Sequence, residues 1–280
     1  MSPYDSRLAI SLEIHEAQVW ADHVTACGRI DGDTLGATVE RSDAFVMSAL
    51  RAIDSFDVNR VVGLGVVSPA TKADVERIVA FYRANERTRF RVELSPVARP
   101  AELPVWLEAA DLQEDQQNVT KLFRLTCDVR HPVPDGQVQL LGLEHRRVVG
   151  ELNAMAWGAG IAHTATVEWF GSTVGEQGFR HYGIFDQDRL ISVGALAVRG
   201  TVGWVGFAAS HPRYRGKGLR QKINEVRLAE ARSLGCEVVH VEIEERYSQS
   251  AKLPFQRLYD RPSYSSQPLR RLDRDEPGAI

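Results

Sequence analysis

The sequence has few cysteines, no long apolar run and no strong excess of either charge, and each shortage excludes something. Cys27, Cys127 and Cys236 are the only three cysteines in 280 residues. They make neither a CxxC pair nor a His/Cys spacing suited to a metal, which argues against a disulfide framework and a zinc site. No apolar stretch approaches the ~20 residues that cross a bilayer. The opening MSPYDSRLAISLEIHEAQVW mixes acids and an Arg without a long apolar core, unlike a signal peptide, so a cytoplasmic protein is expected. With 44% apolar and 25% charged residues, 22 Gly and 12 Pro, the composition excludes collagen-like, low-complexity and wholly disordered chains. What remains is one large domain, or two of roughly 130–150 residues.

Net charge is −3, unevenly spread. Residues 1–145 hold 15 Lys+Arg against 22 Asp+Glu, a net −7, and residues 146–280 hold 19 against 15, a net +4. That excess is too small to hold bulk nucleic acid, and no DNA partner is expected. It suits a local anionic ligand on the C-terminal half.

The densest pattern lies in residues 202–245. The apolar run VGWVGFAAS (202–210) leads into His211-Pro212-Arg213-Tyr214-Arg215-Gly216-Lys217-Gly218. A helical stretch follows, with Leu219, Ile223, Val226, Ala229 and Leu234 at spacings near 3.6 and charged residues on the other face. Gly235 stops it, and EVVHVEI (237–243) alternates as a strand does. Residues 59–95 repeat the order of strand, loop, helix and strand without the Arg-Gly-Lys-Gly segment: NRVVGLGVVSP (59–69), a helix over 72–86, then RFRVEL (89–94). We read a degenerate internal duplication. Helices are expected over 144–157 and 164–174, strands over 180–184 and 190–198, a linker over 130–136 and a flexible tail over 267–280. Interleaved strands and helices make this a mixed α/β protein.

The basic, glycine-rich turn sits where a strand hands over to a helix. Unpaired N–H groups there face along the positive end of the helix dipole. Gly216 and Gly218 allow a tight turn and close approach, and Arg213, Arg215, Lys217 and Arg220 add positive charge. Such a site suits a diphosphate. Neither GxxxxGK[ST] nor GxGxxG is present, so nucleotide-hydrolase and dinucleotide loops are excluded.

Arg215-Gly216-Lys217-Gly218-Leu219-Arg220 resembles the R/Q-x-x-G-x-G/A loop of the GCN5-related N-acetyltransferase (GNAT) superfamily, with Arg220 where Gly or Ala is usual. The doubled plan is similar to tandem members, as are Trp106 to Leu112 in the first half and Phe255 with Tyr259 to Tyr264 in the second. The resemblance implies two GNAT-like halves, each a mixed, partly splayed sheet flanked by helices. Residues 1–130 would form a degenerate domain without a cofactor loop, and residues 137–266 a domain that binds acetyl-CoA or another acyl-CoA. It implies cofactor contacts from Phe207, Ala208, Ala209, Ser210, Arg215, Gly216, Lys217, Gly218, Leu219 and Arg220, and direct attack by an amine on the acyl carbon.

His240, Glu242 and Glu244 share one strand face, and Glu242 is the preferred proton acceptor. Many relatives carry a Tyr four residues before a Gly-Phe pair; here that place holds Ser250, a poor acid, so Tyr247 is the candidate donor, with solvent as the alternative. His211 is expected to touch phosphate or cap the turn, and Trp157, Trp169 and His163 to fall toward the acceptor side. The expected partner is a small-molecule amine, with no membrane, and a monomer or homodimer. Two alternatives stay open: a GNAT-like transferase using aminoacyl-tRNA, and a non-catalytic acyl-CoA-binding protein.

Overall fold

The structure is a computed structural model that describes residues 3–42, 45–115, 119–126, 136–158, 163–244 and 255–267. Tyr247, Ser250, most of the expected linker and the tail beyond 267 lie outside these residues.

Six helices and thirteen strands are described. In chain order they are α1 (Pro3–Cys27), β1 (Ala37–Arg41), β2 (Val46–Leu50), β3 (Arg60–Val62), α2 (Lys72–Ala84), β4 (Arg91–Glu93), α3 (Leu103–Ala109), β5 (Gln113–Glu114), β6 (Val119–Leu125) and β7 (Val138–Leu141). Then follow α4 (Arg146–Ala156), α5 (Thr164–Gly171), β8 (Phe179–Asp186), β9 (Arg189–Arg199), β10 (Val202–Ser210), α6 (Leu219–Ser233), β11 (Val238–Glu244), β12 (Gln256–Arg261) and β13 (Ser263–Ser265). One sheet has the order β1-β2-β3-β4-β13-β5 and the other β12-β6-β11-β10-β9-β8-β7. No described helix is long and apolar enough to cross a membrane.

The two copies of the expected repeat are both present. In the first sheet β1, β2 and β3 pair antiparallel and β3 runs parallel to β4, with α2 as the crossover. In the second sheet β8, β9 and β10 pair antiparallel and β10 runs parallel to β11, with α6 as the crossover. A parallel neighbour needs such a crossover, and the strand–helix–strand order read in the sequence is compatible with one. The mixed α/β class is as expected.

The chain divides into two compact units, Met1–Leu122 with Glu242–Lys252 and Arg257–Asp275, and Phe123–Val241 with Leu253–Gln256 and Glu276–Ile280. These take in different residues from the expected 1–130 and 137–266. The reason is β13: Tyr264 faces Val92 of β4 on one side and Glu114 of β5 on the other, so the segment near the C-terminus completes the first sheet.

The first unit's core gathers Met47, Val61, Ile78, Tyr82, Val92, Leu103, Leu107 and Tyr264 between sheet and helices. In the second unit Leu196, Val205, Ile223, Leu228, Ala231 and Val239 fill the space between α6 and its sheet. Burying an aliphatic side chain of this size contributes about 1.5–3 kcal/mol. The face that α6 turns inward is Ile223, Asn224, Arg227, Leu228 and Ala231, while Leu234 is exposed. Val226 packs half-buried against this core as the apolar stripe implied, but Leu234 lies off it, and the inward face carries an Arg and an Asn that no apolar pattern would include.

Candidate functional site

Strand β10 departs from regularity near its end. It pairs with β11 at Val202↔Val238, Gly203↔Val239 and Trp204↔His240, and that pairing stops at Trp204. On the other side Gly206 faces Ala195 and Ala209 faces Val193, so Phe207 and Ala208 together stand opposite Gly194. This is a β-bulge, which turns main-chain groups out of the ladder. Phe207 takes φ 47° there, a left-handed conformation uncommon for a bulky residue. Its ring is buried against Trp204, Phe170 and Trp169 at centroid distances of 5.2, 5.8 and 6.1 Å. Phe207 can therefore offer a ligand its backbone, not its ring.

Ser210 closes the strand, its hydroxyl 2.8 Å from that of Ser192. The turn beyond is held by its own side chains. His211 Nδ1 accepts from the Arg213 N–H at 3.3 Å, so His211 caps the turn, one of its two expected roles. The Tyr214 hydroxyl donates to Asp186, and the Lys217 ammonium lies 4.8 Å from the centre of the Tyr214 ring.

Gly216 and Gly218 have φ 76° and 75°, which a side chain would resist, and a Cβ at either would meet nothing within 4 Å. Gly218 caps α6 with no side-chain acceptor. Among the described residues, the main-chain N–H groups of 216–221 have no partner, and Lys222 is the first to bond back, to the Gly218 carbonyl. Arg215, Lys217 and Arg220 are exposed around them, and Leu219 packs half-buried against the core. A 15-residue helix presenting an open, glycine-lined N-terminus amid cations is fitted to an anion with several oxygens.

The matching place in the first unit is closed. Thr71 caps α2, its hydroxyl accepting from the Asp74 N–H at 3.2 Å while the Asp74 carboxylate accepts from the Thr71 N–H at 2.8 Å. Those donors are satisfied, and the carboxylate would repel a phosphate.

Glu242 lies in the first unit within a buried group of charges. It is 3.9 Å from Arg60, which also pairs with Glu16 at 3.1 Å and Glu93 at 2.6 Å. Arg261 reaches Glu16 at 2.9 Å, and Lys121 pairs with Glu16 as well. Burial, and then the charge of Glu16, push the Glu242 carboxyl above the usual carboxylate range. This cluster was not visible in the sequence, because its members come from six separate elements. His240 is fully buried, as is Trp169, which belongs to the core; Trp157 is 40% exposed.

A cleft of about 720 Å³ runs between α4 and the β8–β9 turn in the second unit. Val148, Leu152 and Leu190 make its apolar part, Glu151, Asp186, Asp188 and Arg189 its charged rim, and His211 and Tyr214 border it from the glycine-rich turn.

With this geometry the chain compares closely to solved structures over nearly its whole length. It is similar to a GCN5-related N-acetyltransferase from Kribbella flavida (TM-score 0.62, 15% identity, 96% of this chain and 97% of that one). It is also similar to a GCN5-related N-acetyltransferase from Sphaerobacter thermophilus (0.52, 12%, 89% and 92%). A third is a tandem GNAT protein from the clavulanic acid biosynthesis pathway (0.51, 15%, 84% and 85%). The fold is that of the GCN5-related N-acetyltransferases, as the resemblance implied. No family model and no curated protein matches the sequence.

Proposed function

We propose that the chain is an acyl-CoA-dependent N-acyltransferase, with acetyl-CoA as donor and a small amine as acceptor. The observation that carries this is the open start of α6. Unpartnered N–H groups behind two positive-φ glycines stand at the end of β10, which bulges and leaves its parallel neighbour. Those N–H groups, with Arg215 and Lys217, would hold the pyrophosphate. The main chain of Phe207, Ala208, Ala209 and Ser210 would hold the pantetheine arm.

Bound acyl-CoA supplies the activated acyl group; the chain orients it, excludes water and moves protons. The amine nitrogen bonds to the acyl carbon as the carbon–sulfur bond breaks. The amine's proton goes to Glu242, whose raised pKa suits a base, and the departing thiolate gains one from Tyr247 or solvent. The rim of the cleft, three carboxylates against the one guanidinium of Arg189, supports an amine acceptor with an apolar body. The first unit, with its helix start closed by Thr71 and Asp74, takes no second carrier.

Calorimetry with coenzyme A, acetyl-CoA and ATP tests this. Micromolar binding of the two thiol-carrier ligands is expected, with thiol release when an amine panel is added. Binding of ATP alone, or of none, would refute it.

A further inference from the structure

Arg227 sits mid-helix in α6 and is 2% exposed. Its guanidinium donates from Nη1 to the carbonyls of Ala195 at 2.7 Å and Gly206 at 3.1 Å, and from Nη2 to the Asn224 side chain. Ala195 and Gly206 are the cross-strand pair immediately before the bulge. Gly194, opposite the bulge, makes room: a Cβ there would stand 2.9 Å from Arg227 Cζ. Among the described residues, no carboxylate lies within ion-pairing distance of this cation. Burial, and then the charge of Arg220, push its pKa down to about 9, which still leaves it protonated near neutrality. An apolar side chain of similar volume commonly serves stability as well as a buried charge does. Stability alone therefore gives no reason for an Arg at this place.

We propose that Arg227 is a positioning residue for acyl transfer. It clamps the two carbonyls that precede the bulge and sets a buried positive charge behind the strand on which the thioester is to lie. This rests on the reading of β10 as the strand that carries the acyl group. A fixed cation there would favour the negative charge that grows on the acyl oxygen.

The test uses the full chain, as wild type, Arg227→Met and Arg227→Lys, with acetyl-CoA labelled with carbon-13 at its carbonyl. All three should bind coenzyme A within about threefold of one another, since the glycine-rich turn is untouched. In the wild type the infrared carbonyl band of bound acetyl-CoA should move to lower frequency than in solution. The shift should shrink in Arg227→Lys and vanish in Arg227→Met. With an accepting amine, kcat should fall at least about tenfold in Arg227→Met while KM for acetyl-CoA stays nearly constant, with part of the rate restored in Arg227→Lys. A full shift or undiminished kcat in Arg227→Met overturns the proposal. So does loss of shift, affinity and melting temperature together without recovery in Arg227→Lys, which marks a structural role only. Should Arg227→Met not fold, Gly194→Ala displaces the guanidinium instead; a lost shift supports the proposal and a retained one overturns it. A wild type that binds no coenzyme A sinks the acyl-CoA reading itself, and is distinguished by failing before any variant is compared.

Discussion

Arg261 of β12 and Glu93 of β4 lie 2.6 Å apart, and neither side chain is exposed. Arg261 also reaches Glu13 and Glu16 of α1 at 3.2 and 2.9 Å, and the Tyr259 hydroxyl donates to Glu13 at 2.5 Å. The first helix, a middle strand and a strand near the C-terminus thus share one buried group of charges. Removing one ion from such a group strands the rest, at a cost of about 3–5 kcal/mol. Arg261→Met should lower the unfolding free energy by that amount in urea titrations, and a loss below about 1 kcal/mol would mean the carboxylates find other partners.

The same group sets the acid limit. Burial alone would raise the Glu93 carboxyl, but Arg261, Arg60 and Arg91 outweigh it and hold it at about 2, against an ordinary 4.5. Glu16 is lowered too, burial again being outweighed by Arg261, Lys121 and Arg60. A pKa depressed by folding contributes stability that is whole above the unfolded value and lost as pH falls through the folded one. Urea midpoints should hold steady from neutrality down to about 5 and then drop steeply between 4.5 and 2. In Arg261→Met that drop should be shallower; an equally steep one would place the titrating groups elsewhere.

Gly218→Glu adds bulk at a φ of 75° and a negative charge among the open N–H groups. Coenzyme A affinity should fall at least about tenfold, which is 1.4 kcal/mol. Because a Cβ at this position meets nothing within 4 Å, the fold should survive and circular dichroism should match the wild type. Unchanged affinity in calorimetry would remove the turn from the site.

For Glu242, burial and Glu16 raise the pKa above 4.5. If this carboxylate takes the amine's proton, kcat/KM should climb with pH as Glu242 ionises, with its inflection above 4.5. Glu242→Gln should remove that limb and slow turnover by about a hundredfold or more. An intact limb at near-normal rate would assign the proton to another group.

Much of the fold was legible as periodicity. The helix of 72–86 appears as α2, and the strands over 180–184 and 190–198 appear inside β8 and β9. The glycine-rich turn was legible too, because its chemistry is local: two glycines, four cations and a helix start are neighbours in sequence. What escaped were polar residues on buried faces. Helix α1 drew no expectation because Glu13, His15, Glu16 and His23 interrupt its apolar pattern, yet all four are buried. Arg227 fell among the charged residues set on the other face of α6 for the same reason. Their partners, Arg60, Arg261 and the carbonyls of β9 and β10, lie far away in the chain.

The amino-acid sequence by itself determined the doubled strand–helix–strand plan and the basic, glycine-rich turn at a helix start, since both follow from spacing over a few residues. Only the tertiary structure decided that β13 completes the first sheet, that Phe207 turns at a bulge, and that Arg227 and the glutamates of α1 are buried. A charge goes inside only where distant groups meet it, and that meeting is fixed by packing, which no short stretch of sequence records.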